Sequence, residues 1–349
     1  MELRKNKVLL GLSGGVDSAT AALLLKEKGC EVVGYYFDVK GKNEAGRASA
    51  EDVAKQLNIP LIYEDVSTNF REIVIENFIT EYLHGRTPNP CVLCNPNIKF
   101  KRLIHHADEI GAYYIATGHY CRILRDETRQ LSYIRRAVND QKDQSYMLYR
   151  LGQDVLSRLI FPLGEFCSKE KTREVARDGK LSNADKKDSQ EICFIEPEDN
   201  YVSYITAVGG TSAPGNFVDR EGRVLGRHKG ILHYTIGQRK GLGIALGKPA
   251  FVTEIRAARN EVVLGDNEEL FACEVRSTNH IFADENPAAY DGKTVFAKVR
   301  YSAPPSEAVL HVEGDKIKTV FAKPQRAMTP GQSIVFYDDD KLLGGGFIE

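Results

Sequence analysis

A glycine-containing segment near the N-terminus, Leu12-Ser13-Gly14-Gly15-Val16-Asp17-Ser18, has the residue types that bind phosphate. Adjacent glycines let the backbone turn tightly with its N–H groups pointing inward, and the dipole of a following helix favours an anion there. Ser13 and Ser18 would add hydroxyl donors, and Asp17 would help to hold a magnesium ion on the phosphates. The segment lacks a Gly-Lys-Ser/Thr ending, so it is not a Walker loop. The alternative is a plain Gly-Gly turn with a helix cap.

Cys94 lies beside residues that favour a thiolate, the nucleophilic form of its side chain. Asn95 is a residue type that caps helices, and Pro96 suits a first helical position. We therefore expect Cys94 at a helix N-terminus, where the dipole stabilises negative charge. Lys99 adds positive charge nearby. The alternative is a buried and inert cysteine, which is common in proteins.

Cys193 is the second candidate nucleophile. It follows Lys186-Lys187, whose charges would bias its thiol towards the same ionised form. A structural role is the interpretation that we prefer for Cys30, Cys121, Cys167 and Cys273. A total of seven cysteines, an odd number, does not match a secreted disulfide framework.

The first third of the chain alternates short apolar runs with segments of helical periodicity. Strands are expected at residues 8–12, 32–37, 60–63 and 113–117, and helices at residues 18–29, 48–57, 70–83 and 95–111. Strands that alternate with helices predict an α/β fold with a doubly wound parallel sheet. Ligands of such sheets bind at the carboxyl ends of the strands.

The pattern changes from about residue 200, where glycine and proline become frequent. After about residue 262 come short β-rich runs separated by turns: TVFAKVRYS, EAVLHV, KIKTVFAK, QSIVFYD and LLGGGFI. Such runs predict a small antiparallel barrel or sandwich. We place the domain boundaries at residues 1–196, 197–265 and 266–349.

A basic stretch runs from Gly222 to Thr253. It contains no Asp or Glu, although 48 of the 349 residues are acidic. Its cations are Arg223, Arg227, Lys229, Arg239, Lys240 and Lys248. Such a stretch suits a phosphate backbone, and the alternative is an ordinary solvated face.

The composition excludes several classes of protein. The chain has 349 residues, 42% of them hydrophobic and 27% charged, which is typical of a globular protein of two or three domains. Apolar runs are all shorter than the roughly eighteen residues of a membrane span. The first apolar run is also too short for a signal peptide. We therefore expect a cytoplasmic protein with no membrane partner.

A series of short motifs, in order along the whole chain, resembles the bacterial tRNA-specific 2-thiouridylases (MnmA family). The motifs are SGGVDS, GRTPNPCVLCN, IKFK, YIATGHY, KDQSYMLY, FPLGE, KKDSQEICFI, HYTIGQRKGLG and PGQSIVFYD…LGGG. The resemblance implies a PP-loop (adenine nucleotide alpha hydrolase-like) domain, a small central domain and a C-terminal β-barrel. It also implies ATP-dependent 2-thiolation of the wobble uridine in the tRNAs for lysine, glutamate and glutamine.

The same resemblance implies that the protein binds ATP with Mg²⁺, and it implies which residues bind ATP and tRNA. The phosphates would be held by Gly11, Leu12, Ser13, Gly14, Gly15, Val16, Asp17 and Ser18, and the adenosine flanked by Phe37 and Gly118. The target base and the tRNA would meet Asn89, Pro90, Cys91, His119, Lys142, Asp143, Gln144, Arg300, Tyr301 and Gln332. No resident metal ligands are implied.

In the family's reaction Cys193 would carry a persulfide and attack the activated base. Cys94 would then attack the sulfur of Cys193, leaving a disulfide for a reductant to open. The persulfide would come from a donor protein, a cysteine desulfurase or a sulfur-relay carrier.

Cys91 departs from the family's pattern, which has Asp three residues before the nucleophilic cysteine as a general acid or base. A thiol is a weaker base, so that role is in question here. The change also creates Cys91-x-x-Cys94, which with Cys193 resembles the three-cysteine set of thiolases that use a [4Fe–4S] cluster. Both sulfur mechanisms therefore stay open, and we favour the persulfide.

Two rival functions remain at this point. Another PP-loop enzyme, such as an argininosuccinate-synthase-like or amidotransferase synthetase, would need neither paired cysteines nor a basic RNA-binding segment. A non-catalytic RNA-binding or sulfur-carrier protein would not need an intact SGGVDS loop.

Overall fold

The computed structural model describes residues 6–186, 192–196 and 198–349. The chain divides into two compact units. The first unit contains residues 1–73, 91–190 and 340–343, and the second contains residues 74–90, 191–339 and 344–349. Lys187, one of the two lysines expected to bias Cys193, lies outside the described residues, as does the rest of that motif up to Glu191. The three-domain boundaries stay a prediction.

A parallel sheet forms the centre of the first unit. The strands of this unit are β1 Lys7–Gly11, β2 Glu31–Asp38, β3 Leu61–Asp65, β4 Tyr114–Ala116, β5 Cys121–Asp126, β6 Leu131–Arg136 and β7 Leu159–Ile160. The order in the sheet is β3-β2-β1-β4-β7, and every pairing in it is parallel. Val8, Leu9 and Leu10 of β1 are fully buried, because both faces of the central strand are covered. The predicted α/β fold with a parallel sheet is confirmed.

Helices connect these strands and continue into the second unit. They are α1 Val16–Glu27, α2 Glu44–Leu57, α3 Ser67–Phe70, α4 Glu76–Leu83, α5 Pro90–Cys94, α6 Phe100–Glu109, α7 Gln153–Leu156, α8 Lys169–Asp178 and α9 Tyr201–Ala207. Wide π-helical turns at Arg71–Ile75 and Asn95–Lys99 join α3 to α4 and α5 to α6. Short 3₁₀ turns lie at Ser145–Leu148, Ile231–His233, Ala257–Arg259, Asn267–Leu270 and Pro287–Tyr290. Among the helices of the described residues, none has the length and apolar character needed to cross a membrane.

The hairpin β5–β6 was not predicted from the sequence. Its strands pair in antiparallel register, with Arg122 opposite Arg135. The Asp340 carboxylate accepts hydrogen bonds from Arg122 Nη2 at 2.7 Å and from Arg135 Nε at 2.9 Å. Two charges of one sign can therefore lie side by side, since a carboxylate from the far end of the chain bonds both and offsets their repulsion.

The second unit contains a small mixed sheet and a barrel. The sheet has the order β10-β11-β8-β9, with strands β8 Gly215–Val218, β9 Val224–His228, β10 Phe251–Arg256 and β11 Glu261–Gly265. Only the β8–β11 pairing is parallel among its pairings. Phe217, Val252 and Val262 are fully buried in its core.

The barrel is formed by β12 Phe271–Phe282, β13 Thr294–Lys298, β14 Ser306–Glu313, β15 Lys316–Arg326, β16 Ser333–Asp338 and β17 Lys341–Ile348. Neighbours follow the order β12-β15-β14-β13-β16-β17, and β17 pairs back to β12 with Ile348 opposite Ser277. This pairing closes an antiparallel barrel, which removes the free edges of a sandwich. The predicted C-terminal β-barrel is confirmed.

Candidate active site

The carboxyl ends of β1, β2 and β4 border a cavity of about 180 Å³ in the first unit. It is lined by Gly11, Ser13, Asp17, Ser18, Phe37, Lys99, Thr117, Gly118, His119 and Gln144. The cavity thus brings together residues predicted to bind phosphate, two residues predicted to flank adenosine and two predicted to contact RNA. Parallel α/β sheets bind ligands at this edge.

The glycine turn is fixed by contacts that tolerate no side chain at Gly14. Gly14 has a φ of 73°, and a Cβ there would lie 2.6 Å from the carbonyl carbon of Ser49. Its own carbonyl accepts hydrogen bonds from Ser49 Oγ at 3.1 Å and from Asn183 Nδ2 at 3.0 Å. Both the left-handed backbone and the close approach therefore require glycine.

The start of α1 offers backbone donors to an anion. Gly15 is the residue before the helix, and no side chain caps the first turn of this fully described segment. Ser18 Oγ accepts from the Ser13 N–H at 3.2 Å and donates to the Gly15 carbonyl at 3.1 Å, which holds the loop in shape. Leu12 and Val16 are buried, so they offer only their backbone to a ligand. This is the arrangement of an anion-binding helix N-terminus.

Asp17 has partners that the sequence did not predict. Lys169 Nζ lies 2.7 Å from each of its carboxylate oxygens, although the two residues are 152 positions apart. The Tyr120 hydroxyl also donates to Asp17 Oδ1 at 2.7 Å. The carboxylate that was expected to help hold magnesium is therefore already paired with a cation.

Phe37, Lys99 and Gly118 form another part of the cavity wall. Lys99 Nζ lies 5.9 Å from the centroid of the Phe37 ring. A Cβ on Gly118 would come within 2.8 Å of the backbone of Asp17 and Ser18. The loop after β4 can therefore lie this close to the start of α1 only because residue 118 is glycine.

His119 is held as a neutral imidazole. Its Nδ1 lies 2.7 Å from Thr117 Oγ1, and its ring stacks on Phe100 with centroids 6.1 Å apart. Burial and the nearby Lys99 ammonium hold the pKa of His119 well below its usual value. At neutral pH the ring can therefore offer hydrogen bonds but no positive charge.

Cys94 lies inside a helix and not at its N-terminus, so that expectation was wrong. The helical segment begins at Pro90, which suits a first helical position because it lacks an N–H. Asn95 does not cap a helix, because its side-chain Oδ1 accepts no hydrogen bond; its Nδ2 donates to the Met147 carbonyl at 2.9 Å. Pro96 then falls within the helix, where it cannot donate to residue 92, and the chain widens into the π turn.

This π turn lies between Cys94 and a residue that lines the cavity. Cys94 is buried, with 8% of its surface exposed, and Lys99 at the other end of the turn lines the cavity. Cys91 is exposed in the first turn of the same helical segment. The turn therefore fixes where Lys99 stands relative to a candidate nucleophile.

Cys193 is exposed in the second unit and is followed by two buried residues. Phe194 packs edge-on against Phe78 and Tyr204, with ring centroids 5.3 Å apart in both pairs. The Ile195 N–H donates to the Ile192 carbonyl at 2.9 Å. An anchored aromatic side chain thus presents the adjacent thiol to solvent.

Comparison with known proteins decides the family. Models of the tRNA methyl transferase HUP domain, the tRNA methyl transferase PRC-barrel domain and the aminomethyltransferase beta-barrel domain match residues 6–197, 203–266 and 272–348. The tRNA-specific 2-thiouridylase MnmA 1 of Clostridium botulinum strain Okra is 47% identical over 99% of both chains. MnmA of Clostridium perfringens is 46% identical over 99% of both chains.

The chain belongs to the tRNA-specific 2-thiouridylase family. Among solved structures, NMN synthetase from Francisella tularensis shows 16% identity and a TM-score of 0.35, covering 53% of this chain and 67% of that one. A likeness this weak supports no inference about function.

The loop at residues 142–144 was expected from the family to contact tRNA. Asp143 is buried, and its carboxylate accepts hydrogen bonds from the Ala137 N–H and the Ser145 hydroxyl. Gln144 accepts from the Tyr120 N–H at 2.9 Å and lines the cavity. Lys142 is half-buried. Asp143 therefore shapes this loop from within, while its two neighbours reach the surface or the cavity.

The remaining residues that the family resemblance points to lie in the second unit, apart from Cys91. Gln332 Nε2 donates to the Thr87 carbonyl at 2.8 Å, so this side chain supports the loop that leads to Asn89 and Pro90. Tyr301 is 39% exposed, and Arg300 is half-buried next to it. The Lys298 ammonium lies 5.8 Å from the centroid of the Tyr301 ring, so this partly exposed ring already has a cation beside it.

Proposed function

We propose that this protein activates the 2-carbonyl of the tRNA wobble uridine with ATP and replaces its oxygen with sulfur. The observation that carries the proposal is the cavity itself. It is lined by residues of the loop at positions 12–18, which we call the phosphate loop, and by Lys99, which ends the π turn that follows Cys94 in the chain. The chain is 47% identical, over nearly its full length, to a protein named a tRNA-specific 2-thiouridylase, and this supports tRNA as the substrate.

The chemistry explains why one site needs both a nucleotide and thiols. A carbonyl oxygen leaves poorly, whereas the AMP formed by adenylating it leaves readily. The terminal sulfur of a Cys193 persulfide would then attack C2, and AMP would depart with the oxygen. The Cys94 thiolate would next attack Sγ of Cys193 and break its bond to the transferred sulfur. The product is 2-thiouridine plus a Cys94–Cys193 disulfide, which a thiol reductant reopens.

The residues of the cavity fit this use of ATP. The turn at Gly14 and the N-terminus of α1 would bind the phosphates, and Phe37 and Gly118 would flank the adenosine. Asp17 offers the oxygen ligands that Mg²⁺ prefers, and this ion would supply charge neutralisation of the phosphates. Lys99 would offset negative charge on the leaving AMP, and neutral His119 would orient a polar group by hydrogen bonding.

Residues proposed to contact the RNA occur in each unit. Asn89, Pro90 and Cys91 would meet the target base, which must leave its stack to be modified. Lys142 and Arg300 would contact phosphates, and Tyr301 would stack on a base. A persulfide-loaded donor protein, a cysteine desulfurase or a sulfur-relay carrier, would charge Cys193 because this thiol is exposed.

One reconstitution tests the whole proposal. Purified protein, unmodified tRNA, ATP with Mg²⁺, a persulfide donor and a thiol reductant should release pyrophosphate. Nucleoside mass spectrometry should then show the wobble uridine with one oxygen replaced by sulfur. A methylated uridine would point to methyl transfer instead, and no tRNA-dependent pyrophosphate release would favour a non-catalytic RNA-binding or carrier protein.

The identity of the sulfur mechanism depends on Cys91. Under the persulfide route Cys91→Ser should keep most of its activity and Cys91→Asp should raise it, since a carboxylate is the better base. An iron–sulfur route would make Cys91→Ser as inactive as Cys94→Ser, because a cluster needs each of its three thiolate ligands. We expect no stoichiometric iron after anaerobic reconstitution. Bound iron together with an inactive Cys91→Ser variant would overturn the persulfide route.

The basic stretch at residues 222–253 gives a second test, with a matched control. Arg239 and Lys240 are exposed. Arg223 and Lys248 are also exposed, but they pair with Asp219 at 2.6 Å and with Asp266 at 2.8 Å.

Arg239→Ala/Lys240→Ala should weaken tRNA binding and lower the slope of log affinity against log salt by about one per lost phosphate contact. Arg223→Ala/Lys248→Ala should change the slope less, because those charges are already compensated. Fluorescence-anisotropy titrations over a salt series measure both. Equal slopes for the first variant and the wild type would return this stretch to an ordinary solvated surface.

A further inference from the structure

Lys169, the first residue of α8, reaches the phosphate loop from a distant part of the chain. Its Nζ contacts both carboxylate oxygens of Asp17 at 2.7 Å. The Lys169 side chain is only 13% exposed, and that of Asp17 is 34% exposed. Both carboxylate oxygens therefore contact one ammonium that is itself largely shielded from solvent, unlike that of an ordinary surface ion pair.

Further contacts hold this pair in one geometry. The Tyr120 hydroxyl bonds both Asp17 Oδ1 and Thr172 Oγ1 at 2.7 Å. Thr20 of α1 in turn donates to the Thr172 carbonyl at 3.3 Å. Ser168 caps α8 by accepting from the Lys171 N–H at 3.1 Å, which fixes where the helix begins. The position of Lys169 is thus determined by α8, by α1 and by the loop after β4.

The negative charge of Asp17 would oppose nucleotide binding. Asp17 lines the cavity, so an uncompensated carboxylate would stand against the phosphates of ATP. Like charges at such short range repel strongly where solvent is partly excluded. Lys169 cancels that repulsion and also holds the carboxylate in place.

We propose that Lys169 is a positioning residue for the nucleotide: it neutralises Asp17 and fixes its carboxylate so that the phosphate end of ATP can bind. This inference rests on the proposed use of ATP. Lys169 acts here through Asp17 and not as a direct ligand of the base or ribose. The effect is therefore confined to charged ligands.

Equilibrium titration of the full chain without tRNA tests this role. ATP without Mg²⁺ and the uncharged nucleoside adenosine serve as paired ligands. Lys169→Met should weaken the binding of Mg²⁺-free ATP by about tenfold or more, which is the effect expected from losing one shielded charge pair. Adenosine binding should stay within about twofold, because a phosphate-end effect spares it.

Three further variants distinguish positioning from folding. Asp17→Asn in the Lys169→Met background should restore Mg²⁺-free ATP binding, since it removes the charge that Lys169 offsets. Lys169→Arg should retain binding. Lys171→Met serves as the matched control, because Lys171 lies on the same helix with an exposed side chain and pairs with Glu174.

Each outcome bears on one hypothesis. If Lys169→Met lost binding of both adenosine and ATP, the site would have collapsed. If the Lys169→Met/Asp17→Asn variant failed to regain ATP binding, Lys169 would contact the phosphates directly. Either result would overturn the positioning role. Unchanged ATP affinity in Lys169→Met would also overturn it. Absence of ATP binding in the wild type, in contrast, would contradict the proposed function itself.

Discussion

Replacing either Cys94 or Cys193 with serine is expected to abolish tRNA thiolation while pyrophosphate release continues. Serine keeps the size of cysteine, but its hydroxyl neither carries a persulfide nor attacks one, so the loss should be at least about a thousandfold. Adenylation is proposed to use the phosphate loop and not the thiols. The variants should therefore accumulate activated tRNA or release AMP unproductively.

Parallel assays of pyrophosphate release and of 2-thiouridine by mass spectrometry would measure this separation. Cys273→Ser is the control, because Cys273 is exposed on β12 and has no proposed role. After a single turnover without reductant, the wild type should contain a Cys94–Cys193 disulfide, detectable by peptide mapping. A thiolating Cys94→Ser variant would contradict the proposed release step, and a thiolating Cys193→Ser variant would contradict the persulfide carrier.

The turn between β1 and α1 could be predicted because its determinants are local. Leu12 to Ser18 lie between a strand and a helix, so the turn, the glycines and the helix N-terminus follow from adjacent residues. The parallel sheet was predicted for the same reason, since β1 and β2 are buried runs bounded by turns. Strand ends differed from prediction by one or two residues, as hydrogen bonding and not hydrophobicity sets them.

Contacts between residues far apart in the sequence could not be predicted from the sequence pattern. Lys169 and Asp17 are 152 positions apart, and a lysine in a charged helix gives no local sign of its partner. The hairpin β5–β6 was missed as well, because its strand residues are mostly polar or half-buried. Such pairings depend on how elements pack and not on periodicity.

The sequence prediction placed the start of the Cys94 helix too late, because two prolines both match the pattern of a first helical residue. Pro90 and Pro96 both suit a first helical position, and Asn95 suits a cap only if the helix begins after it. The structure starts the helix at Pro90 and absorbs Pro96 in a π turn. As a result Cys91, and not Cys94, occupies the first turn. The helix-dipole argument for a Cys94 thiolate therefore does not hold.

Asp17→Ala and Ser13→Ala are expected to remove adenylation with little effect on tRNA affinity. Asp17→Ala deletes an oxygen ligand suited to Mg²⁺ and leaves the Lys169 ammonium without its partner. Ser13→Ala removes the hydroxyl that lies 3.2 Å from Ser18 Oγ and 3.4 Å from the Gly15 N–H. Either change should lower tRNA-dependent pyrophosphate release by about a hundredfold or more, as for other losses of transition-state stabilisation at phosphate.

The same variants should bind tRNA within about twofold of the wild type, because the loop is proposed to meet the nucleotide and not the RNA backbone. Ser49→Ala is a useful comparison, since Ser49 Oγ only supports the loop through the Gly14 carbonyl at 3.1 Å. It should lose less activity than Ser13→Ala. Normal pyrophosphate release by Asp17→Ala would contradict the assignment of the loop, whereas a parallel loss of tRNA binding would show that RNA reaches this cavity. Pyrophosphate assays and anisotropy titrations on the same preparations distinguish these results.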